Sequence, residues 1–462
     1  MNELTEKRVL IFIRIFSFSM FMLLLLSTGP VLAEQPILKK YIIEYNIQAI
    51  EKSLRDDTYR GEEGILAVNP EEAKSLGMKT LINDDYLESM RLFKEANECL
   101  EKAKKAMSAS VKEKTDGYYA AEISENALKY KKKFAQAKKR LIIYHLRLNP
   151  DNDDRLNETV CSKIIDRILD ESLSSQTNGL RDKLALFYNT CHGLFTKNFP
   201  LTDNNTRFVN YVFNGFLKES SREERKNHDL DLCYNALGSY KWKDAAGFGT
   251  SEYALLIDEV FKKLGDTIYP VDPLLFMALI KKESSFKPLA VSSVGAAGLT
   301  QIMPETAREL GMNNIFMPDY YQEAVSLVKR ERDARNSALS IINEINKENG
   351  LKLAEQARNL MQESLELGRK RSELYDKYEA ELVKNRDDDR LQAALSVEYG
   401  LKYFAGLMKK YNGDISLALA SYNAGENRVK DFNGIPPYKE TVGFRNKILQ
   451  FYREYLGEVI DK

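Results

Sequence analysis

Apolar residues recur three and four places apart along most of this chain, and period-two alternation is scarce. That spacing predicts helices rather than strands. After Asp84-Asp85, read as a cap, Leu87, Met90, Phe93, Ala96, Leu100, Ala103 and Met107 form one stripe with charges between them. Ala121 to Leu148 repeats the pattern and stops at Asn149-Pro150. Ile164, Ile165, Ile168 and Leu169 mark one face of 161–173, and 207–217 and 230–240 read as further helices. No fixed repeat period is found, so a repeat solenoid is not expected.

A glycine-bearing loop at 243–251 separates this region from a second helical stretch. Residues 253–264 are amphipathic and close at Gly265, and Asp272-Pro273 opens the next helix. An Asp cap followed by Pro at the first helical position is a strong start signal. Residues from about 318 to 386 have a different texture, rich in Glu, Lys, Arg, Leu and Ala, with Asn349-Gly350 in the middle. Val325, Val328, Ala338, Ile341, Ile342 and Ile345 stripe the first part; Leu353, Ala357, Leu360, Met361, Leu365, Leu367, Leu374 and Leu382 stripe the second. We read an antiparallel helical hairpin, with one long helix as the alternative. Asp414 caps a buried helix that Gly425 ends, and a final helix starts near Glu440.

The chain has 462 residues, enough for two or three domains. Its 68 basic and 68 acidic residues cancel, which removes the electrostatic case for nucleic-acid binding. A mean hydropathy of -0.42 argues against a multi-span membrane protein. The lysine-rich stretches 102–114 and 131–139 read as solvated helix faces, a partner surface being the alternative. At the N-terminus, Lys7 and Arg8 precede the apolar run Ile15 to Leu26, then Ser27-Thr28-Gly29-Pro30 and Val31-Leu32-Ala33. This is the layout of a cleaved secretory signal over 1–33, an uncleaved anchor being the alternative. Cys99, Cys161, Cys191 and Cys233 permit two disulfides in an exported chain. None of them forms a CxxC pair, so no metal site and no cofactor is expected.

The candidate chemistry starts at Glu283. It stands at the end of Leu274-Leu275-Phe276-Met277-Ala278-Leu279-Ile280, a segment apolar on every face. Burial and the negative helix end both favour a protonated carboxyl, which a general acid needs. A solvated glutamate beside Lys281 and Lys282 is the plain alternative. The next element, Gly295-Ala296-Ala297-Gly298-Leu299-Thr300-Gln301, allows tight turns and close backbone approach. Gln301 can donate to and accept from a sugar amide or hydroxyl; a structural turn with a surface Gln fits equally. Tyr422-Asn423 leaves the end of a buried helix, either into a cleft or as a capping arrangement.

Together these motifs resemble the soluble lytic transglycosylase catalytic domain. The resemblance rests on Glu283-Ser284, Gly295 to Gln301, Met303-Pro304-Glu305-Thr306-Ala307, Gly413-Asp414-Ile415 to Gly425, and Ile435-Pro436-Pro437-Tyr438-Lys439-Glu440-Thr441. It covers about 250–316 and 388–456. It departs from the family's usual Met at Thr300, Ala at Ser421 and a tyrosine at Phe444.

The resemblance implies a mostly α chain: a lysozyme-like catalytic domain at 250–460 with a helical-hairpin insertion, preceded by an all-helical N-terminal domain at 34–245. It implies cleavage of the MurNAc–GlcNAc β-1,4 bond of peptidoglycan without water, leaving 1,6-anhydro-MurNAc. Glu283 would be the sole catalytic acid/base. Ser284, Gly298, Leu299, Gln301, Met303, Tyr422, Asn423 and Tyr438 would contact substrate. Asp272 cannot be a second acid, since it lies about 16 Å away along the same helix. The expected partners are glycan strands in the periplasm or envelope, and an envelope protein through the N-terminal domain or the insertion. A goose-type lysozyme that admits water, or a glycan-binding scaffold without catalysis, are the alternatives.

Overall fold

The structure, a computed structural model, describes residues 34–110, 116–175, 179–194, 196, 199–220, 251–264 and 267–456. The expected leader at 1–33, the helix at 230–240 and Cys233 lie outside the described residues.

The described chain is helical throughout. In order come α1 (Glu34–Arg55), α2 (Pro70–Ser75), α3 (Asp84–Ser108), α4 (Asp116–Leu146), α5 (Glu158–Leu173), α6 (Gly179–Cys191) and α7 (Thr206–Glu219). Then follow α8 (Ser251–Leu264), α9 (Pro273–Ser284), α10 (Pro304–Glu309), α11 (Asp319–Ile341), α12 (Gly350–Asn385), α13 (Ala393–Lys410), α14 (Ile415–Ala424), α15 (Glu426–Asp431) and α16 (Lys439–Leu456). Short 3-10 turns lie at Asp154–Leu156 and Asp389–Leu391. Among the described residues the extended pairings are isolated bridges, such as Glu63 with Val68 and Ala297 with Ile302. The helical spacing of apolar residues is therefore what the chain obeys, and the mostly α class stands.

The folded chain groups into two compact units. One takes the described residues of 1–82, 145–240 and 404–462; the other takes those of 83–144 and 241–403. This grouping cuts across the division near residue 245, because helices pair by apolar face rather than by order in the chain. The core of the first unit joins Leu38 and Ile42 of α1 and Ile165 of α5 to Phe187 of α6 and Phe208 of α7, with Ala420, Val429 and Val442 from the last helices and Ile435 from the segment between α15 and α16. In the second, Met107 and Ile123 of α3 and α4 pack with Ala338, Ala354, Ala357 and Met361 of α11 and α12.

Several local expectations need correction. Asn83, not Asp84, caps α3: its side chain accepts from the Tyr86 N–H at 3.0 Å. Asp84 and Asp85 fill the first turn, where negative charge suits the helix dipole. Leu87 is 51% exposed. The buried face instead carries Tyr86, Phe93, Ala96, Cys99 and Ala103. On α11, Val325 and Val328 point to solvent, while Tyr321, Ala324, Leu327, Ala334 and Ala338 are buried.

The pair α11–α12 runs antiparallel. Ser364 Oγ donates to the Glu331 carbonyl at 3.0 Å, and Tyr320 OH reaches Glu381 at 2.7 Å. Its buried faces mix small residues, such as Ala334, Ala338, Ala354 and Ala357, with Tyr321, Leu327, Tyr375, Tyr378 and Leu382, so large aliphatics alone do not mark the contact face.

The lysine stretch 131–139 is not wholly solvated. Lys131 Nζ donates to the carbonyls of Asn343 and Ile345, at 2.7 and 2.5 Å. Burial lowers its pKa, with Glu344 acting the other way. Arg358 likewise closes the end of α3, donating to Ala106 O at 2.8 Å and Ala109 O at 3.1 Å. Both place a cation where unsatisfied helix carbonyls carry negative charge. Cys99, Cys161 and Cys191 are buried free thiols, so no disulfide forms among them.

Candidate active site

Helix α9 delivers Glu283. Asp272 caps its start, accepting from Leu274 N–H at 2.8 Å, and Pro273 takes the first position. Leu274 to Ile280 are each at most 1% exposed. A helix buried on all sides is held rigidly, so the residues at its last turn are fixed by the core. Glu283 emerges there half-buried, and Ser284 behind it is buried with its hydroxyl on the Ile280 carbonyl at 3.2 Å. The chain then turns through two consecutive left-handed residues, Ser285 at φ 50° and Phe286 at φ 60°. Such conformations are costly for residues with a side chain and persist where packing enforces them. Here Phe286 stacks on Tyr253 of α8, with ring centres 5.8 Å apart.

The segment after this turn is tied to the glycine loop. Ala290 O accepts from Gly298 N–H and from Gln301 Nε2, both at 2.9 Å. Gln301 Nε2 also reaches Gly298 O at 2.9 Å, and the residue itself has φ 47°. The Gln301 side chain thus closes the turn with its donor end. Gly298 has φ 82°, and a Cβ there would lie 1.8 Å from the Arg390 carbonyl. The glycine is required by both conformation and space. Leu299 and Thr300 are fully buried. Leu299 therefore supports the loop from behind, and Thr300 is fastened by its hydroxyl to Ser396 O at 2.9 Å. Met303 is half-buried at the start of α10.

The loop is clasped by Arg390, which is fully buried. Two of its nitrogens hold Asp388 at 2.9 and 2.7 Å. Its Nη1 donates to Gly295 O at 2.9 Å and Ile302 O at 3.2 Å, and Nη2 also meets Tyr378 OH at 2.7 Å. Asp388 in turn accepts from the Phe316 and Arg390 N–H groups, each at 2.9 Å. A buried ion pair of this kind is tolerated because its hydrogen-bonding positions are filled. The pair holds both ends of the 295–302 loop. Glu305, on α10, accepts from Tyr321 OH at 3.4 Å.

The other candidate residues stand on α14 and the segment after it. Asp414 caps α14 through the Leu417 N–H at 3.0 Å. The helix is buried along 415–421, apart from Leu417, and ends at Gly425 with φ 84°. Tyr422 and Asn423 are half-buried at its last turn. Tyr422 meets Phe404 edge-on at 6.1 Å, and Asn423 Oδ1 accepts the Thr441 hydroxyl at 2.7 Å. Tyr438 is 38% exposed and packs edge-on against Phe432 at 5.5 Å. Phe444, at a place where the resemblance calls for a tyrosine, is buried. Among the described residues no group of His, Cys, Asp and Glu could hold a metal ion.

Residues 262–348 and 372–441 match the family described as the transglycosylase SLT domain. The chain carries an SLT domain. Glu283, the glycine loop, Tyr422, Asn423 and Tyr438 all fall inside the matched residues, while 349–371, on the first part of α12 and its cap, fall outside. Over 81 residues the chain is 33% identical to a transglycosylase of Enterobacteria phage PRD1, covering 18% of this chain and 24% of the phage protein.

Two solved structures are similar at 13% identity. Over 92% of this chain, an inactive mutant of the lytic transglycosylase Slt from Pseudomonas aeruginosa gives a TM-score of 0.27 and is covered for 57% of its own length. The 70 kDa soluble lytic transglycosylase of Escherichia coli gives 0.25 over 92% of this chain and 72% of that one. This chain therefore spans about a quarter of the phage relative and just over half of the Pseudomonas protein.

Asp388, Arg390 and Ser396, which anchor the glycine loop, lie in no motif of the sequence, whereas Thr441 closes the 435–441 motif. One signal pointed to two of them: Asp-Asp-Arg-Leu occurs at 153–156 and again at 388–391.

Proposed function

We propose that this chain is a lytic transglycosylase that cuts peptidoglycan at the MurNAc–GlcNAc β-1,4 bond and leaves 1,6-anhydro-MurNAc ends. One observation carries the reading. Within the SLT match, Glu283 stands half-buried just after the fully buried run Leu274 to Ile280, and the segment leaving its helix is bonded to the Arg390-clasped loop. The proposed catalytic part is 250–460, and the proposed compartment is the envelope, reached through the signal at 1–33.

Glu283 acts as acid and then as base. Its proton goes to the glycosidic oxygen as the C1–O bond breaks, and the 2-acetamido oxygen bonds to C1. The Glu283 carboxylate then takes the proton of the MurNAc O6 hydroxyl. O6 bonds to C1, the acetamido oxygen leaves, and the acid is regenerated. No water is consumed, which distinguishes this route from two-carboxylate hydrolysis. Ser284 steadies the helix end. The backbone of Gly298, the free Oε1 side of Gln301, and Met303 supply sugar contacts, with Leu299 supporting the loop. Tyr422, Asn423 and Tyr438 contribute a half-exposed phenol, an amide and an exposed ring to glycan binding.

Digestion of purified sacculi tests this. Wild-type protein should release products with anhydro ends, read by mass spectrometry. Glu283→Gln should lower the rate by about 10²–10⁴-fold with an unchanged melting temperature. Products with reducing ends only would point to a water-admitting lysozyme. Full activity in Glu283→Gln would remove the acid from its role.

A further inference from the structure

Two stretches of the chain repeat one another. Residues 64–78 read Gly-Ile-Leu-Ala-Val-Asn-Pro-Glu-Glu-Ala-Lys-Ser-Leu-Gly-Met, and 298–312 read Gly-Leu-Thr-Gln-Ile-Met-Pro-Glu-Thr-Ala-Arg-Glu-Leu-Gly-Met, identical at seven of fifteen places. The same spacing, within one residue, relates Asp153-Asp154-Arg155-Leu156 to Asp388-Asp389-Arg390-Leu391, and Tyr188-Asn189 to Tyr422-Asn423.

The local geometry repeats as well. Ala67 has φ 53° and its counterpart Gln301 has φ 47°. The bridge Glu63–Val68 matches Ala297–Ile302. Each loop leads into a short helix, α2 or α10, and then into a long helical pair, α3–α4 or α11–α12. Arg155 is held by Asp153 through two nitrogens, both at 2.8 Å, as Arg390 is by Asp388. Arg155 Nη1 reaches Gly61 O and Val68 O, 94 and 87 residues back; Arg390 Nη1 reaches Gly295 O and Ile302 O, 95 and 88 residues back. A Cβ on Gly64 would lie 2.0 Å from Arg155 O, as one on Gly298 would lie 1.8 Å from Arg390 O. A turn can recur by chance. A turn, a helical pair and a distant arginine that returns to clasp the turn do not recur together by chance.

The copies differ where chemistry would be. At the same spacing the place of Glu283 falls at Gln48 or Ala49 of α1, so no carboxylate stands there, and Glu51 lies two residues further on. Asp56, just beyond the helix, is bonded to Lys52. Asn189 is 3% exposed and donates to Pro200 O at 2.8 Å, while Asn423 stays half-exposed. Tyr188 is packed against His192 and Phe208, with ring centres 4.2 and 5.1 Å apart. The place of the Tyr-Asn pair is filled with core side chains in the first copy.

The copies also exchange segments. In the first unit, α6 and α7 of copy one hold the last helices of copy two. Arg181 donates to both oxygens of Asp414, the cap of α14, at 3.0 and 2.7 Å. Next to it, Asp182 accepts from Arg445 at 2.8 Å, and Arg445 Nε donates to Ser416 at 3.0 Å. Asn210 bonds both backbone groups of Ile435, at 2.8 and 3.1 Å. In the second unit, the helical pair of copy one is closed by Arg358 and Gln362 of copy two.

We infer that residues 34–220 are a second copy of the SLT-type module, lacking the acid, and that the two copies exchange segments. The N-terminal half is then the seat that orients the helix bearing Tyr422 and Asn423, not a separable domain. The missing acid is defined by the reading of Glu283 given above; the duplication and the exchange do not depend on it.

The test is made on the full chain with a protease site inserted within 221–250. After complete cleavage at that site, the two pieces should co-elute in gel filtration and keep at least half of the uncut lytic rate. Arg181→Met in the cut protein should lower the urea concentration at which the pieces part. Pieces that separate in buffer, or a Met variant that parts at the wild-type urea concentration, would overturn the exchange. Co-elution does not require lytic activity, so failure of the catalytic reading would show separately, as co-eluting pieces from a parent without activity.

Discussion

Thr441 donates its hydroxyl to Asn423 Oδ1 at 2.7 Å, which fixes which way the amide faces. The oxygen is occupied, so the Nδ2 group is the end left for a ligand acceptor. The last turn of α14 and a side chain from α16 therefore act together on one polar group.

Replacing Thr441 by Val keeps the shape and removes that bond. A single neutral hydrogen bond is worth about 1 kcal/mol, or about fivefold in an equilibrium. KM for glycan should rise by about that factor, with kcat and melting temperature near wild type. An unchanged KM in steady-state turnover would show that the orientation of Asn423 is irrelevant to binding.

Two glycines separate conformation from space. Gly311 has φ 93° with nothing within 4 Å of an added Cβ, whereas Gly298 has φ 82° and collides with Arg390 O. Gly311→Ala should cost about 1 kcal/mol, the left-handed penalty alone. Gly298→Ala must also move a clasped backbone, so its urea midpoint should fall far further or the protein should fail to fold. Equal midpoints for the two variants would contradict the clasp.

Arg390→Met leaves Asp388 buried without its cation and Gly295 O and Ile302 O without their donor. Breaking a buried pair from one side costs about 3–5 kcal/mol. Arg155→Met should cost a similar amount, since Asp153 holds it in the same way. Chemical denaturation of each variant checks this, and a loss below about 1 kcal/mol in either would show that its pair is not structural.

The thiols of Cys161 and Cys191 should be inert in the folded protein. Burial, with Asp153 and Asp154 adding repulsion, pushes the Cys161 thiol up to about 12. Cys191 is raised in the same direction, by burial first and Glu72 second. At pH 8 only about one Cys161 in ten thousand would be thiolate, the reactive form. Titration with a thiol reagent should detect neither residue until denaturant is added. Rapid reaction of either in buffer would mean that its helix opens readily.

Much of the chain was legible before folding was considered. Caps are local: Asp272, Asp414 and the Pro at 273 and 304 each act on the next turn, so the helix starts at α9, α10 and α14 could be read from a few letters. The buried run Leu274 to Ile280, and with it the placing of Glu283 at a helix end, followed from composition alone. Faces of the long helices were read less well. Val325, Val328 and Leu87 took positions in the expected stripes yet face solvent, because the buried faces also use Ala and Tyr, such as Ala324 and Tyr321 on α11 and Ala96 and Tyr86 on α3, which a search for large aliphatics passes over.

Tertiary structure alone decided the rest. Arg390 lies 95 residues from the carbonyl that it holds, and Arg181 lies 233 from the carboxylate that it grips. Neither distance leaves a mark on local periodicity. The lettering of α9 set what could stand at its end; which loop is fastened to the segment leaving that end depended on contacts that exist only after distant segments have met.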